Sequence, residues 1–307
     1  MGLFNYKKKS IILPNLIPFY IRGFYNDNIT GYTLSIENID CDTWFREFSS
    51  LLVSNRVNNF LPICRLSDGE YSFVCGNQPP IKNTFIIQFL SNVKFYINNL
   101  KPSLNFEAGE RGIYQSGKYS REEINEFLPK YLNNLKDLSE NGILALHLTY
   151  AKVPFQERFH HALKKTFQKH GIEINKSNYF PFYFVYAFLQ TDEFRQYINL
   201  KKVLFITGSN DQKINKVEKK FIEFGVYSVE IYKISTNRSL FDIIDLDNIK
   251  TKGVDVCLIA AGIGKPNIMV QLKPLKCLCI DVGYMFEVWA NEELAFNRPW
   301  CSKNFKF

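Results

Sequence analysis

The chain has 307 residues, 46% hydrophobic and 16% aromatic, with a formal charge of +8 and a pI near 9.0. That length suits one large domain or two small ones, with ample apolar material for a core. A basic balance favours polyanionic partners, but the lysines cluster only at 7–9 and at Lys216, Lys219 and Lys220, and no arginine-rich arm, zinc-finger spacing or aromatic RNA-binding signature appears.

The first 60 residues carry no assignment and read as an N-terminal extension, ahead of a single α/β domain over 61–307. Their basic-then-apolar start is broken by Pro14 and Pro18 and lacks a small-residue cleavage site. No uninterrupted run of about 20 apolar residues offers a membrane span, and Tyr6 stands where a myristoylation signal needs Ser or Thr. At most a peripheral membrane contact is expected. Seven cysteines, an odd number without disulfide-like spacing, suggest reduced thiols and a cytoplasmic setting. Cys277 and Cys279 could be taken for a metal pair, but alternation within a strand explains them better.

A short apolar strand, Ile63 to Leu66, stops at Ser67-Asp68-Gly69-Glu70. A helix is expected over Tyr71 to Gly76, then apolar segments around Phe85 to Leu100. Ser120-Arg-Glu-Glu123 is a capping box opening a helix to about Leu138, with Pro129 expected to kink it. Ile143 to Leu148 reads as a strand ending beside His147. Phe155, Phe159, Leu163 and Phe167 mark a helix stopping at Gly171.

The second half alternates regularly. Val203 to Thr207 is a strand, followed by Gly208-Ser209-Asn210 and a helix over Gln212 to Phe224 that stops at Gly225. Val226 to Tyr232 is a strand, Ile234 to Arg238 a loop, and Leu240 to Ile249 a helix. Asp255 to Ala261 is a strand, Gly262-Ile-Gly264-Lys265-Pro a loop, with a helix from about Asn267; Lys276 to Val282 is the last strand. This rhythm predicts an open, mostly parallel sheet with helices on both faces.

In such sheets ligands sit beyond the carboxyl ends of the strands. Four ends carry small or polar residues: Ser67 to Glu70, Gly208 to Asp211, Gly262 to Lys265, and Asp281 to Gly283. Asp68 and Glu70, spaced Asp-x-Glu beside Arg65, can hold a hard divalent cation and through it a diphosphate; a surface turn is the plainer alternative. Gly262-Ile-Gly264-Lys265 is phosphate-loop-like without Walker spacing, and an ordinary strand-to-helix turn explains it as well. Asp281 ends an apolar strand and could serve as a general base, bind a sugar hydroxyl or cap backbone. No zinc spacing and no Gly-x-Ser-x-Gly elbow is present.

Taken together, these residues resemble the bacterial glycosyltransferases of the GT-D fold. Arg65-Leu-Ser-Asp-Gly-Glu70 is similar to that family's Arg-Phe-Gly-Asp-Gly-Glu signature. Ile234-Ser-Thr-Asn-Arg-Ser-Leu-Phe-Asp242 is similar to its Pro-Ser-Lys-Asn-Ala-Phe-Asp segment. Cys279-Ile-Asp-Val-Gly283, followed by Glu287 and Trp289, is similar to its Ile-Asp-Ile-Gly with a downstream Glu-x-Trp. The resemblance implies a Rossmann-like fold, a nucleotide-sugar donor such as a UDP-sugar, a glycan or glycoconjugate acceptor, and manganese (or magnesium) as the divalent ion. It implies metal and catalytic roles for Asp68 and Glu70, and places Asn237 and Asp281 along the cleft, with Asp281 counted among the catalytic residues. The donor would meet Arg65, Gly69, Gly208, Ser209, Asn210, Asn237, Arg238, Gly262, Gly264 and Lys265. Ser67 where the family often has Gly, a Gly208 loop lacking the family's Arg and second Gly, and Tyr284 in place of a polar residue are departures. The competing readings are a methyltransferase on a similar sheet and a non-catalytic basic protein binding nucleic acid or another polyanion.

Overall fold

The computed structural model describes residues 41–54, 59–66, 68–74, 93, 119–146, 163, 165–175 and 177–297. Its strands are β1 (Leu61–Arg65), β2 (Ile143–Leu146), β3 (Tyr179–Pro181), β4 (Lys202–Thr207), β5 (Ser228–Lys233), β6 (Val256–Ala260) and β7 (Leu278–Asp281). All neighbours pair in parallel, in the order β3-β2-β1-β7-β6-β4-β5. The sheet is therefore wholly parallel, not mostly so. Its central strands are buried on both faces, and their sequences are accordingly continuous apolar runs such as Val-Leu-Phe-Ile in β4 and Val-Cys-Leu-Ile in β6.

The helices are α1 (Cys41–Val53), α2 (Asp68–Val74), α3 (Arg121–Asn141), α4 (Phe182–Phe188), α5 (Asp192–Ile198), α6 (Asp211–Glu223), α7 (Lys265–Gln271) and α8 (Met285–Ala290). The connection β6–α7–β7 runs along the sheet in one direction and β4–α6–β5 in the other. Right-handed crossovers then put α7 and α6 on opposite faces. Contacts agree: α3 packs against α7, and α6 against α8. Phe205 of β4 meets Phe221 of α6 and both Phe286 and Trp289 of α8.

Several sequence expectations change. Asp68-Gly-Glu70 is not a free turn but the first turn of α2, and Glu70 is buried, which removes the surface-turn reading. The capping box at Ser120 forms as expected, yet α3 continues through Pro129 to Asn141. The helix expected over 240–249 is two short 3-10 turns, Ser239–Phe241 and Leu246–Asn248. Local side chains compete for the backbone there: Asp242 accepts from the Ser235 N–H and Asp245 from the Asp247 N–H. The strand at 276 is shorter than expected, β2 is described as far as Leu146, and His147 lies outside the described residues, as do 85–92 and 94–100. The Phe-marked helix is seen at 165–169, and Gly171 adopts a left-handed conformation beyond its end.

Within the segment left unassigned, α1 packs on α4. Trp44 meets Phe184 edge-on at 5.2 Å, and Phe48 lies 5.1 Å from Phe180. Trp44, Phe48 and Leu52 belong to the main core. Among the described residues, no helix is long and apolar enough to cross a membrane.

Candidate active site

The strands whose ends were singled out, β1, β7, β6 and β4, are four consecutive members of the sheet. Because the sheet is parallel, their carboxyl ends share one edge. The chain leaves β1 toward α2 and α3 on one face and leaves β7 toward α8 on the other. Ligands in such sheets are expected in the crevice where neighbouring connections part to opposite faces; β6 and β4 part in this way, and so do β1 and β7.

A buried ionic quartet lies where β1 and β7 part. Arg65 closes β1; its Nε donates to the Asp281 backbone carbonyl at 2.8 Å and its Nη2 to Asp281 Oδ1 at 2.9 Å. Lys265, first residue of α7, places Nζ 2.8 Å from Glu70 Oε1 and 3.0 Å from Asp281 Oδ2. Lys265 Nζ is close to Oδ2 but off the line of a hydrogen bond, so that oxygen is held by charge alone. None of the four residues is more than 4% exposed. Two cations and two carboxylates make the group formally neutral, the condition on which buried charges survive.

The surroundings reinforce the pairing. Burial by itself lowers the proton affinity of Lys265, but the carboxylates of Asp281 and Glu70 outweigh it and its pKa is raised. Arg65 follows the same pattern, with Asp281 and then Tyr186 overcoming desolvation. Its guanidinium lies 4.1 Å from the ring centroid of Tyr186 and 5.0 Å from that of Phe182 in α4. Burial pushes up the Cys64 thiol and the Tyr131 phenol. Among the described residues the buried Tyr131 hydroxyl has no hydrogen-bond partner, and the Tyr131 ring lies 4.5 Å from Phe73. Gly283 has φ +44, and a Cβ there would lie 2.0 Å from Arg65 Nη2. Glycine is thus required where the backbone passes the guanidinium.

A resident divalent ion requires oxygen ligands not already committed to cations. Both carboxylate oxygens of Asp281 face Arg65 or Lys265, and Glu70 Oε1 faces Lys265. A dication on Glu70 would add two positive charges beside the Lys265 ammonium in a group that is already neutral. The quartet does not fit a resident metal. The backbone of Asp68 opens α2, and its side chain lies outside the described residues. Gly69 is partly exposed, and a Cβ there would meet nothing within 4 Å among the described residues.

The remaining site residues form the rim. Gly208 is packed against the following loop: a Cβ would lie 2.7 Å from Thr236 Cα, and Thr236 Oγ1 donates to the Gly208 carbonyl at 2.6 Å. The Ser209 N–H donates to Thr207 Oγ1 at 3.2 Å, and Asn210 caps α6 by accepting from the Lys213 N–H at 3.0 Å. Asn237 and Arg238 are exposed. Arg238 pairs with Glu123 at the head of α3 and lies over the rings of Phe241 (5.1 Å) and Tyr119 (5.7 Å). Gly262 is exposed with φ +51, while Gly264 sits against the Ser239 carbonyl, 2.2 Å from a Cβ position.

Ser239 and Asn267, absent from the sequence-based assignment, lock this rim. Ser239 Oγ donates to the Ala261 carbonyl at 2.7 Å, and Asn267 Nδ2 to the carbonyls of Leu240 and Asp242. Tyr119 joins them, its hydroxyl accepting from the Leu240 N–H at 3.1 Å. Of the downstream pair, Glu287 reaches Lys213 at 2.5 Å, and Trp289 is buried, stacked on Phe194 at 6.2 Å. Tyr186 and Phe182 were also missed; they lie in a continuous apolar, aromatic-rich run where periodicity carries no signal. An open groove along β5, lined by Val229 to Lys233 with Asn248, Lys250 and Thr251, lies away from the crevice.

A family model described as a GT-D fold-like domain matches residues 141–289, just under half of the chain. The match takes in the loop at 234–242 and the stretch from Asp281 to Trp289, and leaves out Arg65 to Glu70. No curated protein and no solved structure matches the chain. The parallel Rossmann-like sheet is consistent with that fold, and residues 141–289 are similar to a GT-D fold-like domain.

Proposed function

We propose that the protein is a glycosyltransferase that moves a sugar from a nucleotide-diphosphate donor to a hydroxyl of a glycan or glycoconjugate. The observation that carries this reading is the alignment of four loop-bearing strand ends, β1, β7, β6 and β4, along one edge of a GT-D-like parallel sheet. The exposed rim supplies what a diphosphate needs. Gly262, in a left-handed conformation, lets backbone approach an anion, and Arg238 offers a partly exposed guanidinium. Asn237, next in the chain, and Ser209, which follows the Gly208 that packs against Thr236, add polar groups to the rim.

The quartet acts beneath this surface. Arg65 and Lys265 clamp Asp281 and Glu70, fixing the ends of β1 and β7 and the start of α7, so the rim loops are held in register. Asp281 is then a positioning residue, with its oxygens committed to cations. By its likeness to the Asp-x-Glu signature, Asp68 is the acid assigned to the donor or an ion entering with it.

The test is a transfer assay with UDP-sugars and mixed glycan acceptors. Arg238→Ala and Asp68→Asn are expected to cut kcat/KM at least tenfold while the far-UV spectrum stays unchanged. Arg238→Ala also loses its pair with Glu123 and its contacts with Phe241 and Tyr119, so its Tm should fall by a few degrees without loss of the fold. Wild-type turnover in both variants overturns the assignment of the rim. Glu70→Gln is unsuitable for this purpose, because it leaves Lys265 partly unpaired and lowers stability along with any activity.

A further inference from the structure

At the opposite end of the sheet from the crevice, three thiols converge. Cys257 is the second residue of β6, Cys279 the second of β7, and Cys277 directly precedes β7. The register sets Cys257 beside Cys279, and the two-residue period puts Cys277 on the same face as Cys279. The Sγ atoms of Cys257 and Cys277 are 3.5 Å apart, those of Cys277 and Cys279 4.0 Å, and all three lie within 4.8 Å of one another. The three residues are buried.

Burial of a single cysteine needs no explanation beyond packing, since the thiol behaves as a small hydrophobe. Convergence of three sulfurs is a different matter, because valine or alanine would fill the same space. Thiolates bound to one ion at about 2.3 Å stand roughly 3.8–4.0 Å apart, close to the spacing already present. We propose that Cys257, Cys277 and Cys279 form a binding site for a thiophilic d10 cation, copper(I) in preference to zinc. An all-sulfur set selects soft ions. No fourth Cys, His, Asp or Glu joins the group among the described residues, whereas structural zinc closes its shell with four protein ligands. Copper(I) is satisfied by three sulfurs. On binding, Cu–S bonds replace S–H bonds and the thiol protons pass to solvent, with no change of oxidation state. The ion would staple β6 to β7, whose far ends carry the rim and Asp281.

The test uses the full chain, reduced and handled without oxygen, titrated with copper(I) against a chromophoric competitor, with native mass spectrometry for stoichiometry. One copper per chain is expected, with a higher Tm. Binding should persist when Cys41, Cys75 and Cys301 are all replaced by Ser, and be lost in Cys257→Ser and Cys277→Ser. Because either of the last two could fail to fold, X-ray absorption on the copper-loaded wild type gives an independent readout, with three sulfur neighbours expected. No stoichiometric uptake, nitrogen or oxygen ligation, or copper bound equally well by a folded Cys277→Ser variant overturns the site. Zinc taken up in preference to copper(I) overturns the choice of ion.

Discussion

Replacing Lys265 with methionine keeps an unbranched side chain, one atom shorter, and removes the charge that faces both Glu70 and Asp281. The wild-type quartet is neutral. Lys265→Met leaves one buried net negative charge, and Glu70→Gln leaves one net positive charge. Removing one partner of a buried ion pair costs about 3–5 kcal/mol. At roughly 2–4 °C per kcal/mol for a domain of this general size, Lys265→Met is expected to lower Tm by about 6–20 °C. The double variant Lys265→Met/Glu70→Gln restores neutrality, while Asp281 keeps Arg65 at 2.9 Å. Its cost should therefore fall short of the sum of the two single costs by about 1–3 kcal/mol, the range seen for residues in one network. Urea unfolding of the four proteins, compared through their midpoints at constant slope, measures the coupling. Additivity within about 0.5 kcal/mol would show that Lys265 and Glu70 do not share a charge balance, and the description of the quartet would be wrong.

Two glycine substitutions separate structural from ligand-facing roles. Gly283→Ala puts a methyl group into the space of the Arg65 guanidinium at a left-handed position, so a loss of about 2 kcal/mol or more is expected from strain and a broken buried pair; unchanged thermal stability would contradict the close approach. Gly69→Ala meets no neighbour among the described residues and lies in a helix, where alanine gains up to about 1 kcal/mol. If the open space at Gly69 serves the donor, the variant is at least as stable as wild type yet binds donor more weakly, and unchanged donor affinity removes Gly69 from the site.

Much of the second half was legible from the sequence because its signals are local. Strand runs, Gly225 and the turn glycines mark β4 through β7, and the capping box at Ser120 opens α3 as read. The four loop-bearing strand ends could be named from the sequence, but their adjacency depends on the order of strands, which no local pattern encodes. The run Tyr179 to Phe188 was opaque for the opposite reason: it is apolar almost throughout, and α4 is buried nearly all round, so neither a period of two nor of 3.6 stands out. Partners were the least legible feature. Lys265 reads as a phosphate-loop lysine beside Gly264, and Glu70 as a metal ligand, when each is viewed in its own segment. The fold brings them together from α7 and α2, and the long-range ion pair decides their chemistry.

A nucleotide-diphosphate site on the rim is tested most directly by thermal shift with UDP, GDP, CDP and S-adenosylmethionine, each with and without manganese. A ligand that binds only the native state adds about 2.7 kcal/mol at a hundredfold excess over its Kd. A clear rise in Tm is expected with one nucleoside diphosphate, reduced in Arg238→Ala and absent with S-adenosylmethionine. A rise with S-adenosylmethionine alone, or with no nucleotide at all, would contradict a donor site there.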